Sequence, residues 1–154
     1  GIFNRRHLEG ELAVQIARSN RRGSPLTVAL LDIDHFKRIN DLFGHAVGDQ
    51  ALRHVADVMG CSIRSGDVLG RYGGEEFLLI MPDTEVESAA VLCNRLRDAV
   101  RASRPESLGE DRPVTISGGV AQLGRGEQRE DLIERADVAL YRAKAEGRDR
   151  IVMG

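Results

Sequence analysis

The chain has 154 residues, 42% of them hydrophobic and 30% charged, with a net charge of −2. That is enough for one domain around one core, and the near-balanced charge argues against a general nucleic-acid-binding surface or a disordered acidic tail. Cys61 and Cys93 form no CxxC pair, the four histidines make no metal spacing, and no apolar run nears the roughly 18 residues of a membrane span. The expectation is a cytoplasmic domain without direct membrane contact, both cysteines packed as small core hydrophobes.

Leu8, Leu12 and Ile16 recur at helical spacing behind a capping Asn4, which predicts an amphipathic helix from Asn4 to Ser19. LTVALLDID, residues 26–34, predicts a buried strand with Asp32 and Asp34 at its carboxyl end, where open α/β sheets place their chemistry. Phe36, Ile39 and Phe43 mark a short helix ended by Gly44; Leu52, Val55, Ala56 and Met59 mark a second, ended by Gly60. DVLGRY and EFLLIM predict a hairpin around Gly73 and Gly74. Thr84 and Glu87 have capping-box spacing ahead of the stripe Val86, Ala89, Cys93, Leu96 and Val100. Residues 104–112 read as a polar loop, and PVTISGGVAQL as a strand weakened at Gly118 and Gly119. Leu132, Ala136, Leu140 and Ala143 mark a last helix, ended by Gly147 and followed by the strand RIVM. The order βααββαβαβ behind an initial helix predicts an α+β fold with a ferredoxin-like or polymerase-palm-like βαββαβ core. Its central, mainly antiparallel five-stranded sheet is flanked by helices.

GRYGGEEFLLIM, residues 70–81, is the unusual stretch. Two glycines can form a tight turn or admit a ligand to the backbone. Two adjacent carboxylates repel unless a cation lies between them, although a solvated acidic turn has the same composition. If the strands flanking the turn neighbour the first one, Asp32 faces Glu75 and Glu76. Three carboxylates with no basic residue beside them suit Mg²⁺, which pairs carboxylates with substrate phosphates, and a two-metal phosphoryl-transfer site.

RYGGEEF at 71–77, DIDHFKRINDLFGHAVGDQAL at 32–52 and RADVALYRAKAEGRDRIV at 135–152 together resemble a GGDEF domain, the diguanylate cyclase family, over nearly the whole chain. The resemblance implies that two GTP condense into cyclic di-GMP with release of two pyrophosphates. Each 3′-hydroxyl attacks the other GTP's α-phosphate across a transient homodimer. It implies two Mg²⁺ per GTP site, with Mn²⁺ as a substitute, held by Asp32, the backbone carbonyl of Ile33, Glu75 and Glu76. Glu75 and Asp32 are the implied catalytic residues.

Asn40 and Asp49 match the guanine-recognising positions, and Phe36, Lys37, Lys144 and Arg148 the phosphate side. Read alone, Asn40 is a helix-surface residue, Asp49 an N-cap, and Lys144 with Arg148 a pair of cations favouring a helix C-terminus. Their fourfold spacing aims both one way. RSGD at 64–67 has the offset of the family's product-inhibition site, which assigns Arg64 and Asp67, with Arg95, to cyclic di-GMP. GTP and cyclic di-GMP, not a nucleic-acid polymer, are the implied partners.

The opening GIFNRR starts inside the family's usual Asp-x-Leu-Thr-Gly-Leu-x-Asn-Arg-Arg, and Gly118 stands where a bulky apolar residue is common. Both departures are expected to affect stability or dimer geometry more than chemistry. A GGDEF domain cut from a longer signalling protein is the expectation. The alternative is a catalytically silent domain that binds GTP or cyclic di-GMP, which an altered signature or lost metal acid would favour. His35 and His45 read as turn or surface residues, and Tyr72 and Phe77 as packing.

Overall fold

The apolar run after Pro25 is buried at every position and forms β1 (Leu26–Ile33), the middle strand of a five-stranded sheet. A strand covered on both faces sends alternate side chains to opposite layers. Ala29, Leu31 and Ile33 enter one apolar cluster; Leu26, Val28 and Leu30 enter the other.

The computed structural model describes residues 2–109 and 113–154. Helix α1 (Arg5–Arg22) precedes β1, and α2 (Phe36–Phe43) and α3 (His45–Gly60) follow it. The hairpin β2 (Val68–Arg71) and β3 (Glu76–Pro82) leads to α4 (Val86–Ser103), β4 (Ile116–Gln122), α5 (Arg129–Ala145) and β5 (Ile151–Met153). Sheet order is β2-β3-β1-β4-β5, antiparallel throughout except between β4 and β5. The chain is therefore α+β, with the predicted element order and a mainly antiparallel sheet. Leu8 and Leu12 of α1 and Leu132, Ala136 and Leu140 of α5 cover one face. The apolar stripes of α3 and α4 cover the other.

Helix α5 lies directly on β4. A Cβ at Gly119 would fall 2.2 Å from the Ala136 carbonyl oxygen, so the missing side chain admits the helix backbone. At Gly118 a Cβ would fall 2.5 Å from Leu31 and 2.8 Å from Ile151. Those side chains fill the space that a bulkier residue would take.

Local readings hold where no tertiary contact competes. Asn4 caps α1 by accepting from the His7 N–H at 3.0 Å, and the helix continues past Ser19 to Arg22. The Thr84–Glu87 capping box does not form. The Thr84 hydroxyl donates to the Pro82 carbonyl and accepts from Arg64, both at 2.7 Å, while Gln122 Oε1 takes the Val86 N–H at 2.9 Å. Neither Gly73 nor Gly74 has positive φ; the Tyr72 and Gly73 N–H groups close the turn on the Glu76 carbonyl at 2.8 and 3.1 Å.

Because α3 starts at His45, Asp49 lies inside it and caps nothing. Cys93 is buried, which pushes its thiol up to about 12, but Cys61, just past α3, is exposed rather than in the core. The polar 104–112 segment contains a 3-10 turn, Glu106–Leu108, that buries Leu108. Residues 110–112 of that predicted loop, and Gly1 of the opening, lie outside the described residues. No helix among the described residues is long and apolar enough to cross a membrane.

Candidate active site

Antiparallel pairing sets Asp32 opposite Glu76 at the ends of β1 and β3, and the Ile33 N–H reaches the Glu75 carbonyl at 3.4 Å. The chain then turns through His35, at φ 56°, into α2. These ends and the C-terminal end of α5 surround an open cleft of about 460 Å³. Asp32, Ile33, Phe36, Lys37, Glu75, Lys144 and Arg148 all line it. Asp34, His35, Arg38 and Asp41 line it too, and sequence reasoning gave them no role there; their nearness to Asp32 in sequence was the available signal.

Asp32 is 4% exposed. Lys144 Nζ donates to its Oδ2, while Oδ1 is buried without a hydrogen-bond partner among the described residues. Burial raises the Asp32 pKa; Lys144 opposes that shift, and the charges of Glu75 and Asp34 add to it. Burial also raises Glu76, helped by Asp32 and by Asp137 of α5. The expected trio of carboxylates free of basic neighbours is thus corrected twice. Lys144 stands at Asp32, and among the described residues no three His, Cys, Asp or Glu side chains are grouped to hold a metal. Asp32 and Glu76, paired across β1 and β3, share the face of Leu30 and Leu78, whereas Glu75 precedes the strand and lines the cleft. An orphaned oxygen of a buried carboxylate beside one further acid still fits a hard cation. Such a cation would take its other ligands from water and phosphate rather than from a protein cage.

Lys144 and Arg148 do not meet through helical spacing. Helix α5 ends at Ala145, and Arg148 follows in a left-handed conformation at φ 63°. Among the described residues no hydrogen bond or ion pair engages the side chain of Lys37 or of Arg148.

Helices α2 and α3 touch where Gly48, the neighbour of Asp49 in the chain, meets Asn40. A Cβ there would fall 1.8 Å from Asn40 Oδ1. Asp49 lines a second cleft, of about 250 Å³, with Arg71 and Phe77. Arg71 donates to the Gly73 carbonyl at 3.3 Å and to that of Gly74 at 2.6 and 3.0 Å, holding the glycine turn; the sequence reading missed it.

Arg64 is bound to Asp67 and, across to a residue just past the end of β3, to Thr84. Arg64 gives three N–H bonds of 3.0–3.1 Å to an Asp67 side chain only 2% exposed. Arg95 is exposed on α4, the helix whose Cys93 feels the Asp67 charge.

A sheet of this order with an acid- and cation-lined cleft at the β1–β3 end defines a palm-like α+β domain. The family described as diguanylate cyclase, GGDEF domain, matches residues 1–150, and the chain belongs to it. It is 44% identical over 151 residues to the diguanylate cyclase DgcP of Pseudomonas aeruginosa, covering 98% of this chain and 22% of that protein. It is 44% identical over 156 residues to the response regulator PleD of Caulobacter vibrioides, covering 99% and 34%. The chain thus spans about a third or less of the length of these curated relatives. Among solved structures, the GGDEF domain of DgcB from Caulobacter crescentus in complex with c-di-GMP superposes with a TM-score of 0.92 at 37% identity, covering 99% of this chain and 91% of that one. The active GGEEF domain of a diguanylate cyclase from Vibrio cholerae gives 0.92 at 34%, covering 99% and 97%.

Proposed function

We propose that this domain, as one part of a longer signalling protein, condenses two GTP into cyclic di-GMP and two pyrophosphates. The observation that carries this reading is one cleft holding Asp32 with its unpaired Oδ1, Glu75, and the cations Lys37, Lys144 and Arg148. Acids for a metal and cations for a triphosphate stand at one sheet end.

In this reading Asp32, the Ile33 carbonyl and Glu75 would hold Mg²⁺, with water and phosphate as its other ligands. When bound, the metal neutralises triphosphate charge and lowers the pKa of the attacking hydroxyl. Phe36 and Lys37 at the start of α2, with Lys144 and Arg148, bind the phosphates. Asn40 and Asp49 read guanine: a carboxylate accepts from both N1–H and the N2 amino group, an edge that adenine lacks. Glu75 takes the 3′-hydroxyl proton. The oxygen bonds to the α-phosphorus of the GTP on the second protomer, and the bond to that GTP's β-phosphate breaks, releasing pyrophosphate. Arg64, Asp67 and Arg95 bind the product as an inhibitor, which requires Arg64 to exchange some of its bonds to Asp67 for guanine.

The test is GTP binding with and without Mg²⁺. Wild-type protein binds in a Mg²⁺-dependent manner and Asp32→Ala does not; equal binding by the two contradicts the assignment. Glu75→Gln keeps the shape and loses turnover, since an amide is a poor Mg²⁺ ligand and no base.

A further inference from the structure

Asp34 has no role in the chemistry above, yet it is 5% exposed and fully engaged. Its Oδ1 accepts from the Ser117 hydroxyl at 2.6 Å. Its Oδ2 accepts from the Thr115 hydroxyl at 2.7 Å and from the Asp149 backbone N–H at 3.0 Å. The last bond joins the end of β1 to the segment between α5 and β5. That segment is unusual: Arg148 and Asp149 are consecutive non-glycine residues with φ of 63° and 48°. L-residues visit this region rarely, and surrounding bonds must hold two in succession.

The bonds are present on both sides. Asp34 takes the Asp149 N–H, Arg97 of α4 donates to the Asp149 carbonyl at 2.9 Å, and Arg101 pairs with its carboxylate at 3.0 Å. The residue thus pinned lies next to Arg148, which lines the cleft beside Asp32 and Lys144. Behind it, the Arg148 N–H reaches the Ala143 carbonyl at 3.0 Å, so the turn is held at Arg148 from the helix end and at Asp149 from Asp34 and α4.

We propose that Asp34 is a positioning residue: by clamping the left-handed Arg148–Asp149 turn it holds the Arg148 guanidinium toward the cleft that receives the triphosphate. The inference rests on the GTP reading for what Arg148 meets, and on the geometry alone for the clamp. Preorganised cations gain affinity because less ordering remains for binding. Loss of the clamp therefore weakens triphosphate binding through Arg148; Asp34→Asn also removes a charge that Asp32 feels, which Thr115→Val leaves in place.

The test uses Asp34→Asn, Arg148→Ala and the double variant, with 3′-deoxy-GTP and Mg²⁺ as the probe, since that nucleotide lacks the attacking hydroxyl. Asp34→Asn speeds Asp149 amide exchange about tenfold in the unliganded protein while β1 and β3 amides stay protected. It weakens probe binding about tenfold, as does Arg148→Ala, and the double variant binds no worse than Arg148→Ala. Additive losses, or Asp149 exchange unchanged from wild type, overturn the proposal. Thr115→Val, which removes one donor to Asp34, carries the same cycle if Asp34→Asn does not fold. Failure of wild type to bind the probe overturns the GTP reading and the positioning role with it, whereas additivity overturns the positioning role alone.

Discussion

Lys144, in the last turn of α5, donates from Nζ to Oδ2 of Asp32 at the end of β1 and leaves Oδ1 of that buried carboxylate without a partner among the described residues. One cation thus neutralises the acid while half of its hydrogen-bonding capacity stays unused. The protein alone therefore keeps a cation-seeking oxygen in the cleft.

Removing that ammonium strands Asp32. Lys144→Met is expected to destabilise the unliganded domain by about 1–2 kcal/mol, a value kept low because Lys144 is 33% exposed at its side chain. Thermal unfolding reads this as a fall of about 3–6 °C, and Mn²⁺ recovers more of it than it adds to wild type. An unchanged melting temperature would show that the pair contributes nothing.

Glu76 makes the pH prediction. Burial first, and Asp32 second, raise its pKa above the ordinary 4.5, so the fold favours the protonated acid. Its contribution is therefore most favourable below that ordinary value and is lost as pH rises through the raised one. Glu76→Gln, which stays neutral, is expected to melt about 2 °C above wild type at neutral pH, with the gap closing on acidification. A gap that widens toward acid pH contradicts the direction of the shift.

Arg64 has two duties. It satisfies the nearly inaccessible Asp67 carboxylate and, in the functional reading, meets the product. Arg64→Ala is expected to relieve product inhibition with the initial rate preserved, at a stability cost of about 1–3 kcal/mol from the unpaired acid. Inhibition curves and melting temperatures measured on the same sample check both parts. Unchanged inhibition would make the 64–67 pattern a structural clasp only.

The two kinds of glycine should separate in one comparison. A Cβ at Gly119 meets α5 backbone at 2.2 Å, whereas a Cβ at Gly74 meets nothing within 4 Å. Gly119→Ala is expected to lose about 3 kcal/mol or fail to fold. Gly74→Ala is expected to change stability by less than about 0.5 kcal/mol while cutting turnover, because only a ligand needs that open backbone. Full turnover in Gly74→Ala would remove the glycine turn from the nucleotide site.

Most of the fold was legible in local pattern. The short apolar run ending in acids read as a buried strand with Asp32 at its carboxyl end, and the structure covers it on both faces. The GGEEF turn located the cleft because two small residues and two acids have little use in packing. Long-range competition was not legible. Thr84 lost its cap to bonds with Arg64 and Pro82, and Lys144 reached Asp32 from the far end of the chain. The Arg148–Asp149 turn was hidden as well, since non-glycine residues at positive φ carry no compositional sign. Lys144 and Arg148 looked joined by helical spacing in the sequence, but Arg148 reaches the cleft from a left-handed turn past the end of α5.

The most direct measurement is cyclic di-GMP formation from GTP and Mg²⁺ by nucleotide-stripped protein over a wide range of protein concentrations. A half-site on each protomer predicts product forming more steeply than in proportion to protein, and a linear, faster rate once a dimerising coiled coil is fused to the N-terminus. No product from the fused dimer, with Mg²⁺-dependent GTP binding intact, would contradict the cyclase reading and leave a nucleotide receptor in its place.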